Sequence, residues 1–210
     1  MDVGDVARVY DRIAERYAAV FSDELDRKPD DRRLLDAVAA ACRGRGVVLD
    51  VGCGPGHVAA YLYDAGTESA GVDLTPAMAA AAHRRHPAVP CVVADLRRLP
   101  VADGRAAGVV AFYSLIHLPR PDLRAAVESL GRVLVPDGVL LVAVHGGEGQ
   151  VHADEFVGER LSVDATLFTA AELAAAVEAA GCTVEQVLER PPYDFEHPTT
   201  RLYVRARKTG

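Results

Sequence analysis

The ten residues Val47–Gly56 decide the fold of this chain, and they read Val-Val-Leu-Asp-Val-Gly-Cys-Gly-Pro-Gly. A short apolar run contains one acidic residue, Asp50, and leads into a turn with glycine at every second position. Glycine lets a chain turn sharply and brings bare backbone close to a ligand. Residues 58–65 have the pattern of a helix, whose first amides would face a ligand held by the turn. The stretch therefore predicts a strand, a ligand-binding loop and a helix.

The kind of ligand is restricted by two residues beside the glycines. A dinucleotide-binding loop has glycine in the pattern Gly-x-Gly-x-x-Gly, but its last position here is His57. Asp50 precedes the turn, and its negative charge disfavours a pyrophosphate and suits a cationic amino group. These residues argue against a nicotinamide dinucleotide site.

Outward from the glycine turn, apolar runs alternate with helical segments. Near-continuous apolar strands separated by helices are typical of a parallel sheet that is covered on both faces. The runs at 183–189 and 201–208 are joined by too few residues for a crossover helix, so we expect them to pair antiparallel. The pattern predicts an α/β fold: a Rossmann-like, doubly wound sheet of seven strands, mostly parallel, with the last strand antiparallel. The five runs that precede those two are 47–51, 69–74, 89–94, 108–113 and 139–144.

The 210 residues are expected to form a single domain. Residues 1–44 would be an N-terminal helical cap, with helices near 4–20 and 30–43, and residues 45–145 the ligand-binding core. Residues 146–210 would hold a lid loop and the C-terminal strands. The loop, from His145 to about Thr166, shows no periodicity, and a long loop in a compact domain is usually functional or disordered.

The charge and cysteine content restrict partners and location. The formal net charge is −7, which argues against nucleic acid as a partner. No apolar run is long enough for a membrane span, and the acidic N-terminus does not resemble a secretory signal. The four cysteines lack the spacing of a zinc site or a disulfide framework. We therefore expect a cytoplasmic protein without a membrane or metal partner, either a monomer or a homodimer.

Four motifs in order along the chain resemble those of the class I S-adenosylmethionine-dependent methyltransferases, over about residues 45–145. The sequence Asp-Val-Gly-Cys-Gly-Pro-Gly at 50–56 is similar to the first motif of that family. Gly71–Leu74 and Ala94–Leu96 resemble the ends of its second and third strands, and Leu130–Gly138 its helix-to-strand-five signature. Val135 and Asp137 depart from that signature, at positions that do not touch the cofactor in the family.

The resemblance implies S-adenosylmethionine as the cofactor and gives roles to particular residues. Asp50 and the loop backbone would hold the methionine end, and Asp73 both ribose hydroxyls. Asp95 would accept a hydrogen bond from the adenine amino group, and Tyr10 or Tyr17 could reach the methionine carboxylate. The full set of implied cofactor-binding residues is Tyr10, Tyr17, Asp50, Gly52, Cys53, Gly54, Asp73, Leu74, Met78, Asp95, Leu96 and Ser114.

Methyl transfer requires alignment of the nucleophile with the methyl group and, for a hydroxyl acceptor, a base. Histidine is the natural base near neutral pH. His117 follows the fourth strand and His145 ends the fifth, so both are candidate catalytic residues facing the pocket. His197 lies in a loop that could reach the pocket mouth. No acidic residue follows the fourth strand, so no catalytic metal is expected.

The sequence supports methyl transfer to a hydroxyl, carboxylate or amine of a small metabolite, in a specialised biosynthetic pathway. Two alternatives stay open: an RNA or protein methyltransferase, and a protein of this fold that binds the cofactor without transferring methyl. A small acceptor is favoured because the N-terminal helices and the 145–166 loop can cover a pocket but cannot hold a tRNA or a protein domain. The acceptor itself is not identified.

Overall fold

A computed structural model describes residues 3–210 and shows a seven-stranded sheet in the order β3-β2-β1-β4-β5-β9-β8. The strands β1 to β5 are parallel to one another, and β9 runs antiparallel to both β5 and β8. This is the Rossmann-like sheet that the sequence predicts, including the antiparallel last strand.

The secondary-structure elements within residues 3–210 follow the predicted alternation closely. Short 3-10 turns lie at Glu24–Arg27, Leu96–Arg98, Leu115–His117 and Arg120–Asp122. The α-helices are α1 (Val3–Phe21), α2 (Pro29–Cys42), α3 (His57–Asp64), α4 (Pro76–Arg85), α5 (Leu123–Arg132) and α6 (Ala170–Ala179). The strands are β1 (Val47–Val51), β2 (Glu68–Asp73), β3 (Cys91–Val93), β4 (Ala106–Phe112), β5 (Leu134–Gly146), β6 (Gln150–Phe156), β7 (Glu159–Thr166), β8 (Cys182–Arg190) and β9 (Thr200–Lys208).

Two helices begin where their first residues satisfy free backbone amides. The hydroxyl of Thr75 accepts a hydrogen bond from the amide of Met78, and Pro76 takes the first helical position of α4. Thr169 and Glu172 form a reciprocal capping box at the start of α6. The first of these caps fixes the chain that leaves the carboxyl end of β2. That end lies beside the glycine turn, which leaves the neighbouring strand β1.

The core lies on both faces of the sheet, as expected for strands that are apolar on both sides. On one face Val127, Leu130 and Phe168 are buried against the central strands, and on the other Leu35 and Leu62 are buried. Burial of these side chains fixes the sheet and therefore the relative positions of the strand ends. None of the helices in the described part of the chain is long and apolar enough to cross a membrane.

The expectation that His145–Thr166 is an irregular loop is wrong. Residues 150–166 form an antiparallel hairpin of β6 and β7, separate from the main sheet. Its side chains alternate between more exposed and more buried positions along much of both strands. An alternation of apolar and polar residues is the signal by which a strand is recognised in sequence. Leu161, Val163 and Ala165 carry that signal in β7, so the strand was present in the pattern and was missed.

The hairpin and α1 pack against each other across the carboxyl ends of the strands. The ring of Phe156 contacts those of Tyr10, Tyr17 and Phe21. Arg12 and Arg16 of α1 each form an ion pair with Glu159, at 3.1 Å. These contacts bring α1 and the hairpin together above the glycine turn.

Candidate active site

The glycine turn lies against the segment that follows β4. The amide of Gly52 donates to the carbonyl of Val72 at 2.7 Å, and the hydroxyl of Ser114 donates to the carbonyl of Val51 at 2.8 Å. Gly52 has φ +75°, and a Cβ there would lie 2.2 Å from the Cβ of Ser114. Glycine is required at this position both by the backbone conformation and by the space available.

Asp73, the last residue of β2, holds the glycine turn by its carboxylate. One oxygen accepts from the amide of Gly54 at 2.8 Å, and the other accepts from the amide of Thr75 at 3.0 Å. Burial raises the pKa of this carboxyl. The hydroxyl of Thr75 also donates to this carboxylate, at 3.2 Å. An ionised carboxylate has about four lone-pair sites, so about one site is left for a hydroxyl donor on a ligand.

A cavity of about 780 Å³, called here the loop cavity, lies above the ends of β1, β2 and β4. The structure brings eleven of the fourteen candidate residues into its wall. They are Tyr10, Tyr17, Gly52, Gly54, Asp73, Leu74, Met78, Asp95, Leu96, Ser114 and His117.

Asp50 and Cys53 lie behind the glycine turn and outside the wall of the loop cavity, and His145 lines a different cavity. The buried carboxylate of Asp50 accepts a hydrogen bond from the amide of Ala59 at 3.0 Å, which caps α3. Burial raises the pKa of Asp50 to about 7. Asp50 therefore supports the turn from below, and the side chain of Cys53 meets that of Cys91, with their sulfurs 3.4 Å apart.

Asp95 lies at the apolar end of the loop cavity, with Leu74, Met78 and Leu96. Its carboxylate accepts three hydrogen bonds from the side chain of Arg97, one at 2.7 Å and two at 3.1 Å, and one from the amide of Arg97 at 2.9 Å. Arg97 therefore fixes the orientation of the Asp95 carboxylate. A ligand amino group would share the lone pairs of that carboxylate with Arg97.

His117 joins three elements at the opposite end of the loop cavity. Its Nδ1 lies 3.2 Å from the carbonyl oxygen of Asp164 in the hairpin, and its Nε2 lies 2.8 Å from the hydroxyl of Tyr10 in α1. Because a carbonyl only accepts, Nδ1 carries the proton and Nε2 accepts from Tyr10. Burial lowers the pKa of His117 to about 4, so its imidazole is neutral at neutral pH.

A second cavity, of about 1000 Å³ and called here the aromatic cavity, adjoins the loop cavity. The two share Tyr10, Tyr17 and Tyr113. The aromatic cavity is lined further by Phe21, Phe156, Phe195, His145 and His197, and by the charged residues Glu24, Arg27, Lys28, Glu196 and Arg201. His197 therefore reaches a cavity wall, as the sequence suggested.

His145 has the opposite tautomer to His117. Its Nδ1 lies 2.7 Å from the hydroxyl of Thr199 and 3.2 Å from Nη1 of Arg201. A guanidinium only donates, so Nδ1 is the acceptor and the proton of the neutral ring is on Nε2. Burial, and after it the charge of Arg201, lowers the pKa of His145 to about 3. The hydrogen-bond donor of His145 is therefore Nε2–H, on a residue that lines the aromatic cavity.

Sequence reasoning missed most of the aromatic cavity wall. Lys28 precedes α2, Phe156 ends β6, and Glu196 and Arg201 lie around the start of β9. These residues are far apart in the sequence and belong to no motif, so only the packing of α1, the hairpin and the last two strands brings them together. Tyr113 carried a weak signal, because it follows β4 directly; it has φ +54°.

The fold and the loop cavity define the class of protein: an open α/β sheet whose ligand lies at the strand ends, where the order of the strands reverses. Residues 48–138 match the family model described as a methyltransferase domain. The chain belongs to the class I S-adenosylmethionine-dependent methyltransferase family.

Known relatives and structures agree with this assignment. A malonyl-[acyl-carrier protein] O-methyltransferase of Enterobacter lignolyticus is 34% identical over 142 residues, which cover 67% of this chain and 53% of that protein. An S-adenosylmethionine-dependent methyltransferase from Methanosarcina mazei superposes with a TM-score of 0.70 at 17% identity, covering 78% of this chain and 92% of that one. Geranyl diphosphate C-methyltransferase from Streptomyces coelicolor, solved with S-adenosylhomocysteine, gives 0.70 at 13% identity, covering 86% and 77%. The chain spans about half the length of the curated relatives it matches.

S-adenosylmethionine is the cofactor of this family, and the loop cavity fits it. The turn at Gly52 and Gly54 leaves bare backbone in the wall, and the partly used carboxylate of Asp73 can accept a hydroxyl donor. Apolar side chains of Leu74, Met78 and Leu96 form the other end, which suits a flat base.

Proposed function

We propose that the protein transfers the methyl group of S-adenosylmethionine to a small molecule bound in the aromatic cavity. The observation that carries this proposal is the junction of the two cavities at Tyr10, Tyr17 and Tyr113. A donor in one cavity and an acceptor in the other would meet there, and holding two reactants in line supplies much of the acceleration of a displacement.

In the loop cavity, the cofactor supplies a methyl group that is already activated by its sulfonium sulfur. Asp73 binds the ribose in this proposal, and Leu74 and Met78 flank the adenine. Tyr10 and Tyr17 cover the junction, where they exclude water from the reacting groups. Their phenols stay protonated, since burial raises the pKa of both.

A small acceptor is supported by what covers the aromatic cavity. Phe21 of α1 and Phe156 of the hairpin lie on its wall and contact each other, with ring centroids 6.0 Å apart. A cavity that is covered in this way by side chains of α1 and the hairpin holds a metabolite rather than a folded nucleic acid. The net charge of −7 also disfavours a nucleic acid.

Calorimetric titration with S-adenosylhomocysteine tests the cofactor half of the proposal. We expect micromolar binding of the wild type, which corresponds to about −8 kcal/mol. Asp73→Ala should weaken binding by about 1.5–3 kcal/mol, the cost of losing hydrogen bonds to a charged group. Asp154→Ala is the matched control, because it removes a carboxylate that is 95% exposed on the hairpin. Equal affinities in the two variants would contradict the role of Asp73.

Transfer itself is tested with methyl-labelled cofactor and the low-molecular-weight fraction of a bacterial extract. Label should appear in a small product that forms only with the wild-type protein and not with Asp73→Ala at low cofactor concentration. Tight cofactor binding without any labelled product would mean that the protein uses the cofactor for something other than methyl transfer.

A further inference from the structure

At the junction of the two cavities, the two histidines whose rings contact the shared tyrosines have no free basic nitrogen. His197 lines only the aromatic cavity, with its ring 6.4 Å from that of His145, centre to centre. Both ring nitrogens of His117 form hydrogen bonds. Nδ1 donates to the carbonyl of Asp164, and Nε2 accepts from the hydroxyl of Tyr10. In His145, Nδ1 accepts hydrogen bonds from the hydroxyl of Thr199 and from the guanidinium of Arg201, and Nε2 already carries the proton. Neither histidine has a free basic nitrogen in this arrangement.

The acidic residues of the aromatic cavity are held as ion pairs. Glu24 accepts from Lys28 at 2.6 Å, and Glu196 accepts from Arg190 at 2.7 Å. Burial opposes ionisation of both. The hydrogen bond with His57, at 3.0 Å, and then the charge of Lys28 nevertheless lower the pKa of Glu24. The hydrogen bond from Arg190 is the main cause that brings the pKa of Glu196 to about 2. Such carboxylates are weak bases at neutral pH.

Cationic and donor groups surround the shared residue Tyr113. The ammonium of Lys28 lies 5.5 Å and the guanidinium carbon of Arg201 5.8 Å from the centre of its ring. The ring of His145, which bears the Nε2 proton, lies 5.4 Å from the same ring, centre to centre. Lys28 and Arg201 also form ion pairs with Glu196, at 3.2 and 3.4 Å. In the whole wall of the aromatic cavity, within the described part of the chain, three cations stand against two glutamates, which leaves an excess of one positive charge.

The rest of the wall is aromatic, with Phe21, Phe156 and Phe195 beside the shared tyrosines. Such a surface binds an apolar or aromatic body. An acceptor for this cavity therefore combines an apolar body with a group that needs no base and that is attracted by donors and positive charge.

We infer that the acceptor is an apolar carboxylic acid, bound as its carboxylate near Tyr113 with the Nε2–H of His145 as donor, and that the product is its methyl ester. This inference rests on the proposed function. An alcohol or an ammonium group must lose a proton before or during methylation, whereas a carboxylic acid is ionised above a pKa of about 4.

The reaction balances without a base. One O–C bond forms between the carboxylate oxygen and the methyl group, and the S–C bond of the cofactor breaks with its electron pair left on sulfur. The products are a neutral ester and S-adenosylhomocysteine, and no proton is released. His145 in this scheme is a binding and orienting group, while Arg201 and Thr199 fix its tautomer.

Binding to the S-adenosylhomocysteine-saturated protein tests the inference without relying on turnover. The probes are 3-phenylpropionate and the neutral, isosteric 3-phenylpropanamide, titrated by calorimetry. We expect the carboxylate to bind at least about 10-fold more tightly, as a charge-assisted hydrogen bond is about twice as strong as a neutral one. Equal binding of the two probes, or no binding of the carboxylate by the saturated protein, overturns the inference.

Two substitutions of His145 separate its donor from its bulk. His145→Gln keeps an N–H near the position of Nε2 and should keep the preference for the carboxylate. His145→Leu fills similar space without a donor and should lose most of that preference. Affinity for S-adenosylhomocysteine is measured in both variants and should change less than about 3-fold, since His145 lies outside the loop cavity wall. Loss of preference in both variants, or in neither, contradicts the role of Nε2.

A transfer assay distinguishes failure of this inference from failure of the proposed function. With tritiated-methyl cofactor and 3-phenylpropionate, 3-phenylpropan-1-ol or 3-phenylpropylamine, label should enter the acid and be released by alkali as volatile methanol. Preferred labelling of the alcohol or the amine overturns the inference and leaves methyl transfer standing. Absence of any S-adenosylhomocysteine binding would instead overturn the proposed function.

Discussion

The two cavities meet at three tyrosines but are built in different ways. The loop cavity is formed largely by residues at the ends of consecutive strands, such as Gly52, Asp73 and Ser114, and it uses backbone as much as side chains. The aromatic cavity is formed by side chains from α1, the hairpin and the segment before β9. The first depends on the sheet itself, and the second depends on elements added around it. One sheet can therefore keep its cofactor site while the added elements change the acceptor.

The largest expected effect tests the backbone side of this comparison. Gly52→Ala should lower affinity for S-adenosylhomocysteine by about 100-fold or more, because the new Cβ would lie 2.2 Å from the Cβ of Ser114. In the alanine variant, the positive φ costs about 1–2 kcal/mol of free energy, and the forced packing typically costs about 1–3 kcal/mol more. Calorimetry with the ligand and thermal unfolding of the variant measure the two consequences.

Gly44→Ala is the control for that change. Gly44 has nearly the same φ, +73°, but a Cβ added there would have no neighbour within 4 Å among the described residues. It should cost about 1–2 kcal/mol of stability from the backbone alone and leave ligand affinity unchanged. Equal ligand affinity in the two alanine variants would show that contact with Ser114 is not what requires glycine at position 52.

An intermediate effect, on the pH dependence of stability, is expected at the junction, where His117 joins α1 to the hairpin. Its pKa is about 4 in the folded protein and about 6.5 when unfolded. Between these values the unfolded chain binds more protons, so the free energy of unfolding falls as the pH falls from 6.5 to 4. For His117 the loss reaches about 3 kcal/mol at pH 4, at 1.36 kcal/mol for each unit of pKa.

Urea unfolding of the wild type and of His117→Gln at pH 7, 5.5 and 4.5 measures this contribution. Glutamine does not titrate and can still accept from Tyr10, so the variant should lose less stability on acidification. His145 has a lowered pKa as well and remains in both proteins, so the difference between the curves isolates His117. Parallel curves would mean that His117 is not buried as a neutral ring.

The smallest effect is expected where the added elements touch at the surface. Glu159→Gln removes the ion pairs with Arg12 and Arg16, whose side chains are 63% and 60% exposed. Exposed pairs contribute about 0.2–1 kcal/mol each, and salt screens them. Thermal unfolding should show a small loss at low salt that shrinks at high salt. Glu128→Gln on α5, which removes a single pair with Arg124, should have about half that effect; a salt-independent loss at Glu159 would indicate packing instead.

The sheet and the loop cavity were predictable from the sequence because their signals are local. Strand residues are apolar in continuous runs, and the sharp turn after β1 requires glycine at position 52, which the sequence motif contains. The carboxyl ends of parallel strands meet at one edge, so the sequence order of the strands already brings Asp73 and Ser114 together. The predicted strands, the antiparallel pairing of β9 and the wall of the loop cavity are found.

The aromatic cavity and the contacts of single side chains were not predictable in the same way. Asp50 was expected at the ligand, but its place behind the turn depends on the amide of Ala59, a contact that no residue pattern encodes. The tautomers of His117 and His145 are fixed by Asp164 and Arg201, which are 47 and 56 residues away along the chain. Long-range packing decides which nitrogen is free, and hence whether a histidine is a base or a donor.

Helix α1 contributes the same two side chains, Tyr10 and Tyr17, to the walls of both cavities. Two ligands that touch the same side chains cannot bind with independent free energies. By thermodynamic linkage, the factor by which an acceptor changes the dissociation constant of the cofactor equals the factor by which the cofactor changes that of the acceptor. A substitution in α1 that alters one ligand's affinity therefore alters the cooperativity of the pair, so that α1 sets the order in which the two sites fill at given concentrations.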